Sequence, residues 1–167
     1  MTTHGADIDR TAEWDELRRR HLIPRADRPA SSARGVHHVA LLCSDVEQTI
    51  AFYQGLLEFP LIELFENRDY RGSTHFFFDI GHGNALAFFD FPGLDLGPYA
   101  EVLGGLHHLA ISVEPSRWAH LRAKLDAAGV ATQHIDGSSL YFLGPDGERL
   151  ELISDPLEHM YGRDLGD

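Results

Sequence analysis

The sequence predicts an α+β protein made of two tandem βαβββ modules, and three observations lead there. The octet Gly35-Val36-His37-His38-Val39-Ala40-Leu41-Leu42 returns as Gly105-Leu106-His107-His108-Leu109-Ala110-Ile111-Ser112 at an offset of 70 residues, with the Gly, His, His and Ala in identical places. Each octet is followed by a segment with helical apolar spacing, and each of those by three short apolar runs separated by turn residues. The length of 167 residues suits one domain with a real hydrophobic core.

Residues 1–34 read as an extension. A short helix is expected over 9–21, with Trp14, Leu17 and His21 at helical spacing, stopped by Pro24 and Pro29. Residues 30–33 then serve as a linker, and the helix is expected to pack on the surface or on a second subunit. The first module spans 35–92. Its opening strand is followed by a helix capped by Asp45, with Ile50, Phe52, Tyr53, Leu56 and Leu57 facing inward before Pro60. Strands are expected over 61–65, 74–80 and 85–91, the last two joined by Gly81-His82-Gly83-Asn84.

Residues 93–104, with Pro98 and several glycines, connect the modules. The second module spans 105–156. Ser116 is the expected cap of a helix carrying Trp118, Leu121, Leu125 and Ala128 on one face, ended by Gly129. Strands over 131–135, 139–143 and 149–153 follow, with Asp136-Gly137 and Gly144-Pro145-Asp146-Gly147 as turns. Residues 157–167 form a tail, expected to lie on the surface, although 155–162 can also be read as a lid carrying His159, Met160 and Tyr161.

Fourteen Lys and Arg against 26 Asp and Glu leave a net charge of -12. That balance argues against nucleic acid or an anionic membrane as partner, since both require clustered cations. No run reaches the roughly 18 apolar residues of a membrane span, and the N-terminus lacks a basic region followed by an apolar block, so a soluble, cytoplasmic protein acting on a small molecule is expected. With a single cysteine, Cys43, there is no internal disulfide and no cysteine-type zinc site, so any metal must be held by nitrogen and oxygen.

Eleven histidines make such a site worth seeking. Strand alternation puts His38 on one face and His37 on the other, and divides His107 from His108 in the same way. Under a pseudo-twofold relation the equivalent histidines of the two modules converge, and spacing alone does not choose between His37/His107 and His38/His108. Glu151, in the apolar run 149–153, is the third candidate, because a carboxylate there is costly to bury unless paired or bound to a metal. Two imidazoles and one carboxylate suit Fe(II), Mn(II) or Zn(II) with positions left open for substrate.

The tandem modules, the His-His-x-Ala strand starts and the run from Leu140 to Glu151 resemble the vicinal oxygen chelate superfamily over about residues 35–156. That superfamily includes glyoxalase I, extradiol dioxygenases, fosfomycin-resistance thiol transferases, methylmalonyl-CoA epimerase and bleomycin-binding proteins. The resemblance implies an open, U-shaped mixed sheet around a metal, with His38, His108 and Glu151 as ligands. Ala87 falls where glyoxalase I presents a carboxylate, so the implied set is three ligands, the pattern of extradiol dioxygenases and fosfomycin-modifying enzymes. By analogy with the extradiol signature, His134 and Tyr141 would hydrogen-bond a catecholate or the oxygen beside it, while Gly83-Asn84 stands where ring-cleaving enzymes carry a His-His pair, leaving His82 and His75 nearby. Phenylalanines over 76–78 and at 88, 89 and 91 are expected to line both core and pocket.

The resemblance therefore implies a mononuclear Fe(II) ring-cleaving dioxygenase, assembled as a homodimer, acting on a catechol-like substrate. The alternative is a Mn(II)- or Zn(II)-dependent lyase, isomerase or thiol transferase, and a third reading is a small-molecule binding or resistance protein.

Overall fold

The computed structural model describes residues 8–160 and 163–164. Two four-stranded mixed sheets form its frame. In the first, β1 (His38–Leu42), β2 (Leu61–Glu66), β3 (Thr74–Asp79) and β4 (Ala85–Phe89) lie in the order β1-β4-β3-β2, with β1 parallel to β4. In the second, β5 (Leu109–Ser112), β6 (Gln133–Ile135), β7 (Ser139–Leu143) and β8 (Arg149–Ile153) repeat that arrangement as β5-β8-β7-β6. The expected α+β architecture of two βαβββ modules is present. Within one chain, however, the sheets are separate, and β1 and β5 are each a sheet edge among the described residues.

Three helices accompany the sheets. α1 (Thr11–His21) buries none of its residues, and Trp14 and Leu17 remain 45% and 43% exposed. Arg25 ties the segment after it to the C-terminal tail through an ion pair with Glu158 at 2.9 Å. α2 (Val46–Ile50) begins as expected, with Asp45 accepting from the Gln48 amide. It then widens into a π-helical stretch, Ala51–Leu56, which departs from the regular helix expected and contains fully buried Tyr53. α3 (Pro115–Ala127) starts after Glu114, not at Ser116. Pro115 explains the shift, because at the first helical position its fixed φ fits the helix and its missing N–H costs nothing. Among the described residues no helix is long and apolar enough to cross a membrane.

One core joins both modules. From the first sheet Phe76, Phe78, Leu86 and Phe88 point into it, and from the second Leu140, Phe142, Leu150 and Leu152, with Tyr53, Leu57, Trp118, Leu121 and Leu125 of the helical segments between them. Each such side chain contributes about 1.5–3 kcal/mol on burial. Polar contacts cross the same junction. Tyr53 donates to the buried Glu148 at 2.6 Å, Lys124 donates to the Gly55 carbonyl at 2.9 Å, and Glu58 receives Arg117, His120 and Lys124 from α3. The helix sides of the two sheets thus face each other, and their other faces point away from the shared core.

The tail makes a two-residue pairing of His159–Met160 with Arg163–Asp164. Tyr161 and Gly162, part of the segment that can be read as a lid, lie outside the described residues, as do 1–7 of the extension.

Candidate functional site

The faces turned away from the core carry the candidate chemistry. In the second sheet the register sets Ala110 beside Glu151 and Glu151 beside Tyr141, all on one face. His108, two residues before Ala110, joins them, and its Nε2 lies 3.1 Å from Glu151 Oε2. Glu151 is only 4% exposed, mid-strand among Leu150, Leu152 and Ile153. A carboxylate so enclosed is costly unless it is hydrogen-bonded, paired or bound to a cation.

The histidine pairs divide their labour. His107 Nδ1 is 2.7 Å from His108 Nδ1, and His37 Nδ1 is 2.8 Å from His38 Nδ1. In each contact one ring donates and the other accepts, which orients the second ring by the first. Since His108 Nε2 is the atom that meets Glu151, the second histidine is the one turned toward the carboxylate, a choice that spacing left open. His107 Nε2 in turn lies 3.4 Å from Arg149 Nη1 and 3.8 Å from Glu101 Oε2. Reading the strands in isolation missed this outer layer. The only signal for Arg149 was its position two residues before Glu151 on the same strand face.

Tyr141 stands beside the pair, its ring centroid 5.4 Å from that of His108, with the Arg149 guanidinium 4.8 Å over its face. His134 does not. It pairs with Leu140 on the opposite side of the sheet, and its ring lies 5.1 Å from Trp118 of α3. Strand alternation is the reason, since Gln133 and not His134 shares the Tyr141 face.

In the first sheet the equivalent face holds His38, Ala40 and Leu42 of β1, Ala87 and Phe89 of β4, and His75 and Phe77 of β3. Ala40 pairs with Ala87 and Ala87 with Phe77, as Ala110 pairs with Glu151 and Glu151 with Tyr141. Ala87 is therefore the counterpart of Glu151, and no carboxylate stands there. His82 sits exposed at the β3–β4 turn with a φ of 51°.

His38 does not reach His108 and Glu151 within the chain. Among the described residues no group of three His, Cys, Asp or Glu side chains is placed to hold one ion. The shared helical core explains this, because it turns the His38 face and the His108 face in different directions.

A second polar cluster was not anticipated at all. Glu148 is 6% exposed, and burial is the largest cause raising its pKa above the ordinary carboxylate range. Its Oε1 accepts from Tyr53 and its Oε2 from the Asp146 amide at 3.0 Å. Gly144 makes room for it, since a Cβ there would lie 1.9 Å from Glu148 Oε1. Asp146 also accepts from the Ser44 amide of the first module at 3.0 Å. Cys43, buried next to this junction, has its thiol pushed up to about 12, chiefly by burial.

Comparison with known proteins places these features in context. The family model described as Glyoxalase/Bleomycin resistance protein/Dioxygenase superfamily matches residues 35–152. The uncharacterized protein YwkD of Bacillus subtilis (strain 168) is 30% identical over 125 residues, covering 71% of this chain and 95% of that protein. A glyoxylase/bleomycin resistance protein/dioxygenase domain from Frankia sp. EAN1pec superposes with a TM-score of 0.64 at 25% identity, covering 75% of this chain and all of that one. The genomically encoded fosfomycin resistance protein FosX from Listeria monocytogenes, complexed with Mn(II) and sulfate ion, superposes at 0.55 with 23% identity, covering 75% and 96% of the two chains. That last likeness is one of fold.

Proposed function

This chain belongs to the Glyoxalase/Bleomycin resistance protein/Dioxygenase superfamily, and from that premise we propose that it is a divalent-metal-dependent enzyme acting on a small substrate with two adjacent oxygens. In its finer form the reading is a mononuclear Fe(II) ring-cleaving dioxygenase. The observation that carries it is the enclosed His108–Glu151 pair. Two ligands bound at about 2.0–2.2 Å and roughly at right angles stand about 3 Å apart, and His108 Nε2 and Glu151 Oε2 are separated by 3.1 Å. The donor set suits a divalent ion because it offers a buried negative charge and imidazole nitrogen with no thiolate.

His38 completes the set from a second copy of the chain. β1 and β5 are sheet edges, and each is joined to a candidate histidine, His38 within β1 and His108 immediately before β5. Pairing β1 of one copy with β5 of another satisfies both edges and brings His38 to the His108–Glu151 pair. A twofold dimer makes that contact twice and forms two equivalent sites.

A divalent ion held by these residues would supply Lewis-acid charge to two adjacent substrate oxygens. The chain's part is positional. His107 holds the His108 ring, enclosed Glu151 contributes negative charge, and Tyr141 borders the substrate oxygens, where its hydroxyl can donate. In ring cleavage the bond beside the diol breaks, and both atoms of O2 enter the product. The absence of a carboxylate at Ala87 favours this three-ligand chemistry over proton shuttling by a fourth ligand.

The position of His134 favours a second reading. With that imidazole on the far side of the sheet, no histidine within the paired strands β5–β8 stands on the Glu151 face among the described residues. A Mn(II)- or Zn(II)-dependent lyase, isomerase or transferase needs only Lewis-acid chemistry there. The lone, buried Cys43 suits the cytoplasm under either reading.

Anaerobic purification with metal analysis, followed by O2 uptake on a panel of catechols, separates the two. Iron with O2 consumption and a yellow ring-fission product supports the first. Zinc or manganese without O2 consumption supports the second, and failure to retain any divalent metal overturns both.

A further inference from the structure

We propose that the N-terminal arm docks on a second copy of this chain, where α1 and the segment after it lie in the acidic cleft between the connector and the β7–β8 turn. The proposal goes beyond the metal reading and does not depend on it.

The arm buries no face within its own chain. Trp14, Leu17 and His21 stand at i, i+3 and i+7 on one side of α1, and none of the helix is buried. Leu22 and Ile23, which follow it, are exposed as well. A helix of 11 residues is too short to be stable alone in water, so its apolar side needs a surface to cover. The arm is also basic in a chain that is otherwise acidic. Residues 17–34 hold six arginines and one aspartate, whereas residues 35–167 hold seven Lys and Arg against 20 Asp and Glu. Arg18 and Arg19 pair with Asp15 and Glu16 inside α1, which leaves Arg20 without an ion pair among the described residues.

The cleft complements both features. Its volume is about 590 Å³, and its walls include Phe91, Leu94 and Leu96 together with Asp90, Asp95 and Asp146. Leu94 and Leu96 are 51% and 44% exposed. Among the described residues no Lys, Arg or His lines it, and no residue of the arm does either. Its negative charge is felt nearby, since Asp90 and Asp146 add to the upward shift that burial gives the Cys43 thiol. Arginine entering the cleft meets opposite charge, and Trp14 and Leu17 meet exposed leucines.

A second copy is the occupant because one chain carries both surfaces and does not bring them together. The Arg25–Glu158 contact at 2.9 Å holds the arm to its own tail. Leu42, the last residue of edge strand β1, also lines the cleft, so a copy seated along that edge adjoins it. In a twofold pair each arm straps the other copy, and the contact is made twice.

Cross-linking tests this on full-length, metal-stripped protein. Chains carrying Leu17→Cys are refolded together with mass-tagged chains carrying Leu96→Cys and oxidised mildly, while Cys43 stays buried. A disulfide joining one chain of each kind is expected, forming about tenfold faster than with Ile62→Cys, an exposed position on the opposite edge strand of the first sheet. Adding Asp95→Arg to the Leu96→Cys chain should slow the bond several-fold, and adding Arg20→Glu to its partner should restore part of the rate. Chains carrying both Leu17→Cys and Leu96→Cys, refolded into excess wild type, should form no internal disulfide. A rate no faster than the Ile62→Cys control, or one indifferent to Asp95→Arg, overturns the proposal. An internal disulfide in the doubly substituted chain also overturns it, because the arm then lies in its own cleft.

Discussion

His108 Nε2 and Glu151 Oε2 lie 3.1 Å apart on one face of the second sheet, and His38 occupies the corresponding place at the edge of the first. Separating them is a core that binds the helix sides of both modules, so within one chain His38 does not join the pair.

Mixed dimers provide the sharpest check. His38→Ala and His108→Ala homodimers are each expected to lose stoichiometric metal. In a mixed dimer of the two variants, one site collects both substitutions and the other collects none. Refolding them together at equal concentration should therefore restore metal to about a quarter of all sites. No recovery, with dimers confirmed by light scattering, would place His38 and His108 in separate roles.

Tyr53 and Glu148 form the buried polar link between modules, at 2.6 Å. Tyr53→Phe removes the donor and leaves an enclosed carboxylate short of a partner, which should lower stability by about 1–3 kcal/mol in urea unfolding. Gly144→Ala should destabilise as well, because its new Cβ would meet the Glu148 carboxylate at 1.9 Å and force it off Tyr53. A neutral result for both would mean that the pair does not hold the modules together.

Glu58 governs a separate response to acid. Its hydrogen bond with His120, followed by that with Lys124, lowers its pKa from 4.5 to about 2. A folded-state value below the unfolded one gives stability that is present above about pH 4.5 and is lost as pH falls toward 2. The wild type should therefore exceed Glu58→Gln in stability at pH 7, and the gap should close between pH 4.5 and 2. Unfolding curves at pH 7, 4 and 2.5 read this directly, and the gap should shrink in salt because the cluster is solvent-screened.

Cys43 should be inert while the protein is folded. With its thiol at about 12 and its side chain buried, almost no thiolate exists at pH 8. A chromogenic disulfide reagent should react with one thiol per chain in denaturant and negligibly without it.

Much of this was legible along the chain. The Gly-x-His-His-x-Ala repeat announced two equivalent modules, and alternating apolar residues placed the strands to within a few positions, because side-chain direction in a strand is a local property. Glu151 was visible as an acid inside an apolar run. His134 was misplaced by analogy with a signature, although its own strand parity set it against Trp118. Tyr53 and Glu148 gave no warning, since residues 95 positions apart reveal a partnership only when folded together.

What the amino-acid order settles here is the module and the strand faces, both consequences of backbone periodicity and local chemistry. How the modules meet is a tertiary outcome. Phe76, Phe78 and Phe88 of one sheet and Leu140, Phe142 and Leu152 of the other share a single core through the helices. That burial outweighs any local preference of the edge strands, and it sends His38 and His108 to faces that one chain alone does not bring together.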